Sequence, residues 1–354
     1  MKKFRFLFVT LCLLAACSKS PTPTTPTQPE PTETNAPTAI PSPTPTQAAT
    51  PTALPTLTPT PEPAYSETRS KIRTRMEAYG FMQEEFLSDA YWEQLQTRIE
   101  KYGAAKNILT LEFHGNNYSM YGGAYALTPE AFYEQMDYLM ANDYHFATLP
   151  EIEGFVYGWL DLPVRSVILT TDSGYSSQTS MDTIIASFQT LEETYGYKPH
   201  MNSFVWTKSM LPEETIRCLD NSCWKAMQTA KESGYFSFGT HTESHQHFSD
   251  LTPEEIIADL QLSNQKIYDN LGVHVYAISW PHESCSTEIE TLNELGITLA
   301  WGGRSKPILV NFAGKSDPAP LCLPRMFPPN PGGISSRPEG KTLVEMLALA
   351  EVAP

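Results

Sequence analysis

After Gly103 the chain alternates short apolar runs with longer stretches in which apolar residues recur every three or four positions. The first pattern suits buried strands and the second amphipathic helices. Strands are predicted at Ile108–Phe113, Val167–Thr171, Met201–Trp206, Phe236–Thr240, Val275–Trp280 and Thr298–Trp301. Helical patterns span Pro129–Ala141, Ser180–Tyr195, Ser222–Ser233, Pro253–Leu271 and Thr287–Leu295. Several open with Ser or Thr ahead of Pro or Glu, as helix starts prefer. Strand and helix units repeated over roughly 220 residues predict an α/β fold of mainly parallel strands curled into a barrel. Before it, Ile72, Met76, Phe81, Phe86, Tyr91, Trp92, Leu95 and Ile99 stand among charged residues, which predicts a helical extension packing on the domain.

The rhythm is absent at the start of the chain. Lys2, Lys3 and Arg5 precede an apolar run from Phe6 to Leu14 and then small residues, the order of a secretory signal and too short for a stable membrane-spanning helix. Leu14-Ala15-Ala16-Cys17 resembles a bacterial lipobox, in which Cys17 becomes the lipidated first residue; the alternative is an ordinary signal peptide with a chance cysteine. Residues 18–64 are nearly all Pro, Thr, Ala, Ser and Gln and hold fourteen of the 30 prolines, so they have no apolar face to bury and are expected to be a disordered linker. At roughly 3.1 Å per residue in polyproline II, such a linker reaches on the order of 100 Å from a membrane. The expected organisation is therefore a signal at 1–16, lipidated Cys17 and linker to 64, helical extension at 65–104, the α/β domain at 105–330, and a tail with a short helix at 331–354.

Export changes the reading of the cysteines. Cys218, Cys223, Cys285 and Cys322 would sit in an oxidising compartment, where four cysteines allow two disulfides in three connectivities. The favoured pairing is Cys218 with Cys223 and Cys285 with Cys322; a four-cysteine zinc site would need tighter pairs. The formal net charge of -16 argues against a nucleic-acid partner, which needs basic patches.

Three polar clusters fall at predicted strand ends, where the loops of a barrel converge on a site. Val167-Ile-Leu-Thr-Thr-Asp172-Ser173-Gly174 delivers a carboxylate onto a turn. Phe238-Gly-Thr-His241-Thr-Glu-Ser-His245 carries two imidazoles four apart, so that a helical turn would put both on one side of a divalent metal. Ala277-Ile-Ser-Trp-Pro281-His282-Glu283 runs from an apolar strand into two ionisable residues. Taken singly, each has a bland alternative: a cap, a surface histidine pair, a solvated loop.

Together they resemble the polysaccharide deacetylase family, carbohydrate esterase family 4, over roughly residues 106–330, and in particular its exported poly-N-acetylglucosamine deacetylase branch. Thr170-Thr-Asp172-Ser173-Gly174 stands where the family has Thr-Phe-Asp-Asp-Gly, His241 to His245 matches its His-Ser/Thr-x-x-His, and Ser279-Trp-Pro-His282 is similar to its Tyr-Pro-Tyr strand end. Leu109-Thr-Leu-Glu-Phe-His114 and Leu323-Pro-Arg325 also look like it. The resemblance implies a distorted (β/α) barrel, a divalent metal with zinc as first candidate, and an acetylated glycan as substrate. It makes Asp172 the base that activates water, His241 and His245 metal ligands, and Arg325 the partner that keeps Asp172 ionised. The chain would be monomeric and held at the outer face of the bacterial membrane by lipid alone.

Two departures bear on activity. Ser173 replaces the acid that serves as third metal ligand and is a weak ligand itself, so water or another side chain such as His282, Glu283 or His114 would complete the coordination. No histidine follows His282, so the family's late general acid has no counterpart, and His282 is the candidate to protonate the leaving amine. A glycan-binding protein that has lost catalysis and an O-acetyl esterase are the competing expectations. Trp206, Trp280 and Trp301 are candidates for stacking on sugar rings or for the core.

Overall fold

The structure, a computed structural model, describes residues 65–114, 127–173, 178–211, 216–302, 309–311, 321–329 and 341–352. The expected signal, lipidation site and linker lie outside the described residues, as does Gly174.

The six predicted strands and two further short ones form one sheet: β1 (Asn107–His114), the unpredicted β2 (His145–Phe146), β3 (Ser166–Ser173), β4 (Met201–Val205), β5 (Phe236–Thr240), β6 (Ala277–Ser279), β7 (Leu299–Trp301) and the unpredicted β8 (Leu309–Asn311). Their order is β7-β6-β5-β4-β3-β1-β8, with β2 beside β3. All pairs are parallel except β8, which runs antiparallel to β1. The sheet curls into an open, distorted barrel surrounded by helices.

Alternation along each strand sends successive side chains to opposite faces. Leu109, Leu111, Val167, Leu169, Met201, Val205, Phe236 and Phe238 pack outward against the helices, α3 (Pro129–Ala141), α5 (Gln178–Tyr195) and α6 (Ser222–Ser233) among them. Ile108, Ile168, Phe204, Ala277, Leu299 and Trp301 point the other way. There they meet Ile72, Met76, Phe86, Leu87, Trp92 and Leu95 from α1 (Ser66–Ala78), a 3-10 turn (Glu84–Leu87) and α2 (Asp89–Tyr102). The extension thus shares the barrel's inner core. So does α4 (Leu149–Val156), which periodicity did not predict because all eight of its residues are buried and none marks a solvent face.

A third cluster lies under α7 (Pro253–Leu271) and α8 (Ile289–Glu294), where Phe248, Ile256, Leu260 and Leu292 surround Trp280. In the C-terminal stretch, α9 (Leu343–Val352) buries Leu343, Met346 and Leu347 in the outward core. Disulfides join Cys218 to Cys223 and Cys285 to Cys322, the pairing favoured from the sequence. Among the described residues no helix is long and apolar enough to cross a membrane.

Candidate active site

The inward face that carries Ile108 and Ile168 also carries, two and four positions on, Thr110 and Glu112 in β1 and Thr170 and Asp172 in β3. Glu112 and Asp172 are both buried, and β1 and β3 are in register with Glu112 opposite Thr170. The segment around Arg325 docks alongside: the Glu112 N–H donates to Met326 O at 2.8 Å, and the Met326 N–H donates to Thr110 O at 2.9 Å. This places the buried Arg325 guanidinium between two acids.

Arg325 Nη1 donates to Asp172 Oδ1 at 2.8 Å and Nη2 to Asp172 Oδ2 at 3.2 Å. Nη2 also lies 2.8 Å from Glu112 Oε1. Asp172 Oδ1 further accepts from Ser279 Oγ at 2.7 Å. Oδ1 thus accepts two short bonds, while Oδ2 accepts the longer arm of Arg325 and faces His241 Nε2 at 3.9 Å. Burial pushes the Glu112 carboxyl above its usual range, against the pull of Arg325.

His241 follows β5, and its Nδ1 lies 2.8 Å from Ser279 O. A carbonyl only accepts, so Nδ1 carries the proton and Nε2 presents a lone pair towards Asp172. The His241 to His245 stretch is a loop, not the helical turn expected from the spacing: Thr242 and His245 are left-handed, with φ of 69° and 56°. The loop is held by α7, where the Asp259 carboxylate accepts from the N–H groups of Glu243 and Ser244, each at 2.8 Å. The two imidazoles still meet edge to face with centroids 4.8 Å apart. Burial lowers the pKa of His241 and takes that of His245 down to about 4, so both rings are neutral near pH 7.

His282 extends this row. Its ring centroid is 4.6 Å from His245, it stacks on His247 at 4.2 Å, and its Nε2–H donates to His245 O at 3.2 Å. His282 is exposed at the rim. It and Glu283 are left-handed, with φ of 55° and 57°. Four of the seven non-glycine residues with positive φ among the described residues, Thr242, His245, His282 and Glu283, therefore fall in the two loops that carry these histidines. Such backbone costs of order 1–3 kcal/mol each and persists where the surroundings fix a functional geometry.

Ser173 points to the opposite face from Asp172, is fully buried, and places its hydroxyl 2.6 Å from Ser203 Oγ. It does not join the imidazoles. Trp280 and Trp301 are buried core residues and offer no face to a sugar. Trp206 is half-buried, lies 4.5 Å from the His245 ring, and remains beside the cleft. Among the described residues no three His, Cys, Asp or Glu side chains are arranged to share a metal ion. The fit to a metal is thus two neutral imidazoles, one with its outer nitrogen fixed by a backbone carbonyl as metal-binding histidines usually have it, with no third His, Cys, Asp or Glu arranged to join them among the described residues.

Glu112 and Ser279 were not singled out from the sequence as site residues. The signal for Glu112 was available: a carboxylate in the middle of an apolar strand is rarely buried without a partner.

Residues 161–300 match the family model for polysaccharide deacetylase. Among solved structures, the chain is similar to a polysaccharide deacetylase from Bacillus cereus, with TM-score 0.50 and 19% identity over 62% of this chain and 64% of that one. It therefore spans just under two thirds of that protein. It is also similar to IcaB from Ammonifex degensii, with TM-score 0.53 and 19% identity over 70% of this chain and 97% of that one. At these identities the likeness is one of fold, the distorted (β/α) barrel. No curated protein matches the chain.

Proposed function

We propose, from the premise that residues 161–300 form a polysaccharide deacetylase domain, that this chain hydrolyses N-acetyl groups on an exported N-acetylglucosamine-containing polysaccharide. The observation that carries the reading is Asp172, fixed by Arg325 and Ser279 with Oδ2 turned towards His241. On this reading Cys17 is lipidated and the proline-rich stretch holds the domain out from the cell surface.

Asp172 Oδ2 takes a proton from water as the water oxygen attacks the acetamide carbonyl. Arg325 supplies the counter-charge that the carboxylate needs in a buried setting. His241 and His245 would hold a zinc-like ion, which supplies Lewis acidity at the carbonyl oxygen when bound. The C–N bond then breaks, acetate leaves, and the sugar nitrogen takes a proton. His282, exposed beside His245 at the rim, is the group placed to deliver it.

The test is acetate release from N-acetylglucosamine oligomers by residues 65–354, with zinc, with cobalt and with chelator. Release abolished by chelator, and reduced by Asp172→Asn on the order of 10²–10⁴-fold, is the expected result. A second reading is favoured by Ser173, whose hydroxyl is bonded to Ser203 instead of standing beside the histidines: a glycan-binding protein that has lost catalysis. Retention of the oligomers by the wild type without acetate release, unchanged by chelator, would establish that reading. O-acetylated oligomers assayed in parallel separate amide from ester hydrolysis.

A further inference from the structure

Two buried carboxyls share one buried guanidinium at the end of β1 and β3. Glu112, Asp172 and Arg325 are each less than a tenth exposed. With both acids ionised the group would carry a net negative charge away from water, which is expensive. One proton removes that charge. The geometry says which acid holds it. Asp172 receives both guanidinium arms and the Ser279 hydroxyl, all donors that favour a carboxylate. Glu112 receives a single arm, at 2.8 Å through Oε1, and makes a side-chain hydrogen bond with Asp172.

We infer that Glu112 is a positioning residue: as a neutral carboxylic acid it accepts from Arg325 through one oxygen and donates its O–H to the Asp172 carboxylate. It thereby closes a ring of three side chains that fixes the direction of the Asp172 oxygen aimed at water. Burial raises the Glu112 pKa, in the direction this arrangement needs. Glu112 is 3% exposed, so it orients the base without meeting the substrate. Its own strand holds the Arg325 segment through the Met326 backbone bonds, so the ring closes within one local unit.

The inference rests on the hydrolase reading, and the test separates the two. Acetate release is measured per folded molecule for wild type, Glu112→Leu and Glu112→Gln. Leucine keeps the volume but makes neither bond; glutamine can accept from Arg325 and donate to Asp172 as the neutral acid does. Glu112→Leu is expected to lower kcat on the order of 10- to 100-fold with KM within about twofold, the effect of a misaimed base. Glu112→Gln is expected to recover most of that loss. Glutamine as impaired as leucine would overturn the inference by requiring a charge or a mobile proton at this position. Wild-type kcat in folded Glu112→Leu, or a change confined to KM, would overturn it as well. An inactive wild type overturns the hydrolase reading and this inference with it.

Discussion

Asp172 is held on three sides, and what holds it differs in how far it was legible from the residues alone. Its pairing with Arg325 was expected from the resemblance and is present as a two-armed contact 153 positions apart in sequence. Replacing Arg325 with methionine leaves two buried acids without a cation. Loss of one partner of a buried pair costs roughly 3–5 kcal/mol, so Arg325→Met is expected to lower the unfolding free energy by that order in urea titration. The same variant is expected to lose acetate release. Ser173 was legible as a departure but not in its orientation, because one position along a strand exchanges the faces, and only the folded sheet, with β4 beside β3, shows that the hydroxyl meets Ser203 two residues off register. Glu112 was passed over because a strand was read for its apolar residues, and the one charged residue among them was the informative one.

Among the elements, helix ends were legible because their chemistry is local. Thr252 and Glu255 form a capping box at α7, with Pro253 in the first turn, and α3 and α6 begin and end at the predicted residues. Elements without a local signature escaped: β2 and β8 are two and three residues long, and their pairing depends on distant strands. The histidine loop escaped for the same reason, since its shape is imposed by Asp259 sixteen and fifteen residues away. Asp259→Ala leaves two backbone N–H groups short of an acceptor and is expected to cost about 1–3 kcal/mol. It should also weaken zinc retention measured by equilibrium dialysis. The sheet leaves no room for a side chain at Gly239 in β5, where an added Cβ would lie 2.6 Å from the Phe204 ring and 2.7 Å from Ala277 O. The carbonyl belongs to the neighbouring strand and cannot step aside, so Gly239→Ala is expected to destabilise by about 1–3 kcal/mol, read as a lower unfolding midpoint.

For the molecule as a whole, the barrel was legible as a rhythm of strands and helices, while the way the N-terminal extension enters its inner core was not, since apolar residues do not name their partners. His200 sits where the two meet. It is fully buried, places Nε2 2.7 Å from Ser237 Oγ, and receives Phe86 of the extension edge-on with centroids 5.3 Å apart. Burial lowers its pKa to about 3, with Glu151 opposing and Lys198 and His145 adding to the shift. Above the ordinary value of about 6.5 neither the folded nor the unfolded chain holds the proton, so His200 contributes no pH dependence there. Between that value and about 3 the unfolded chain takes up a proton that the folded chain refuses. Stability therefore falls as pH drops through this window, by up to roughly 1.4 kcal/mol per pH unit from this residue. Urea unfolding of residues 65–354 at pH 7, 6, 5 and 4 is expected to show that decline, and His200→Gln to flatten it. An acid slope unchanged in the variant would place the sensitivity in other groups. A flattened one would assign the acid sensitivity to His200, at the joint between extension and barrel and at the end of the sheet opposite Asp172.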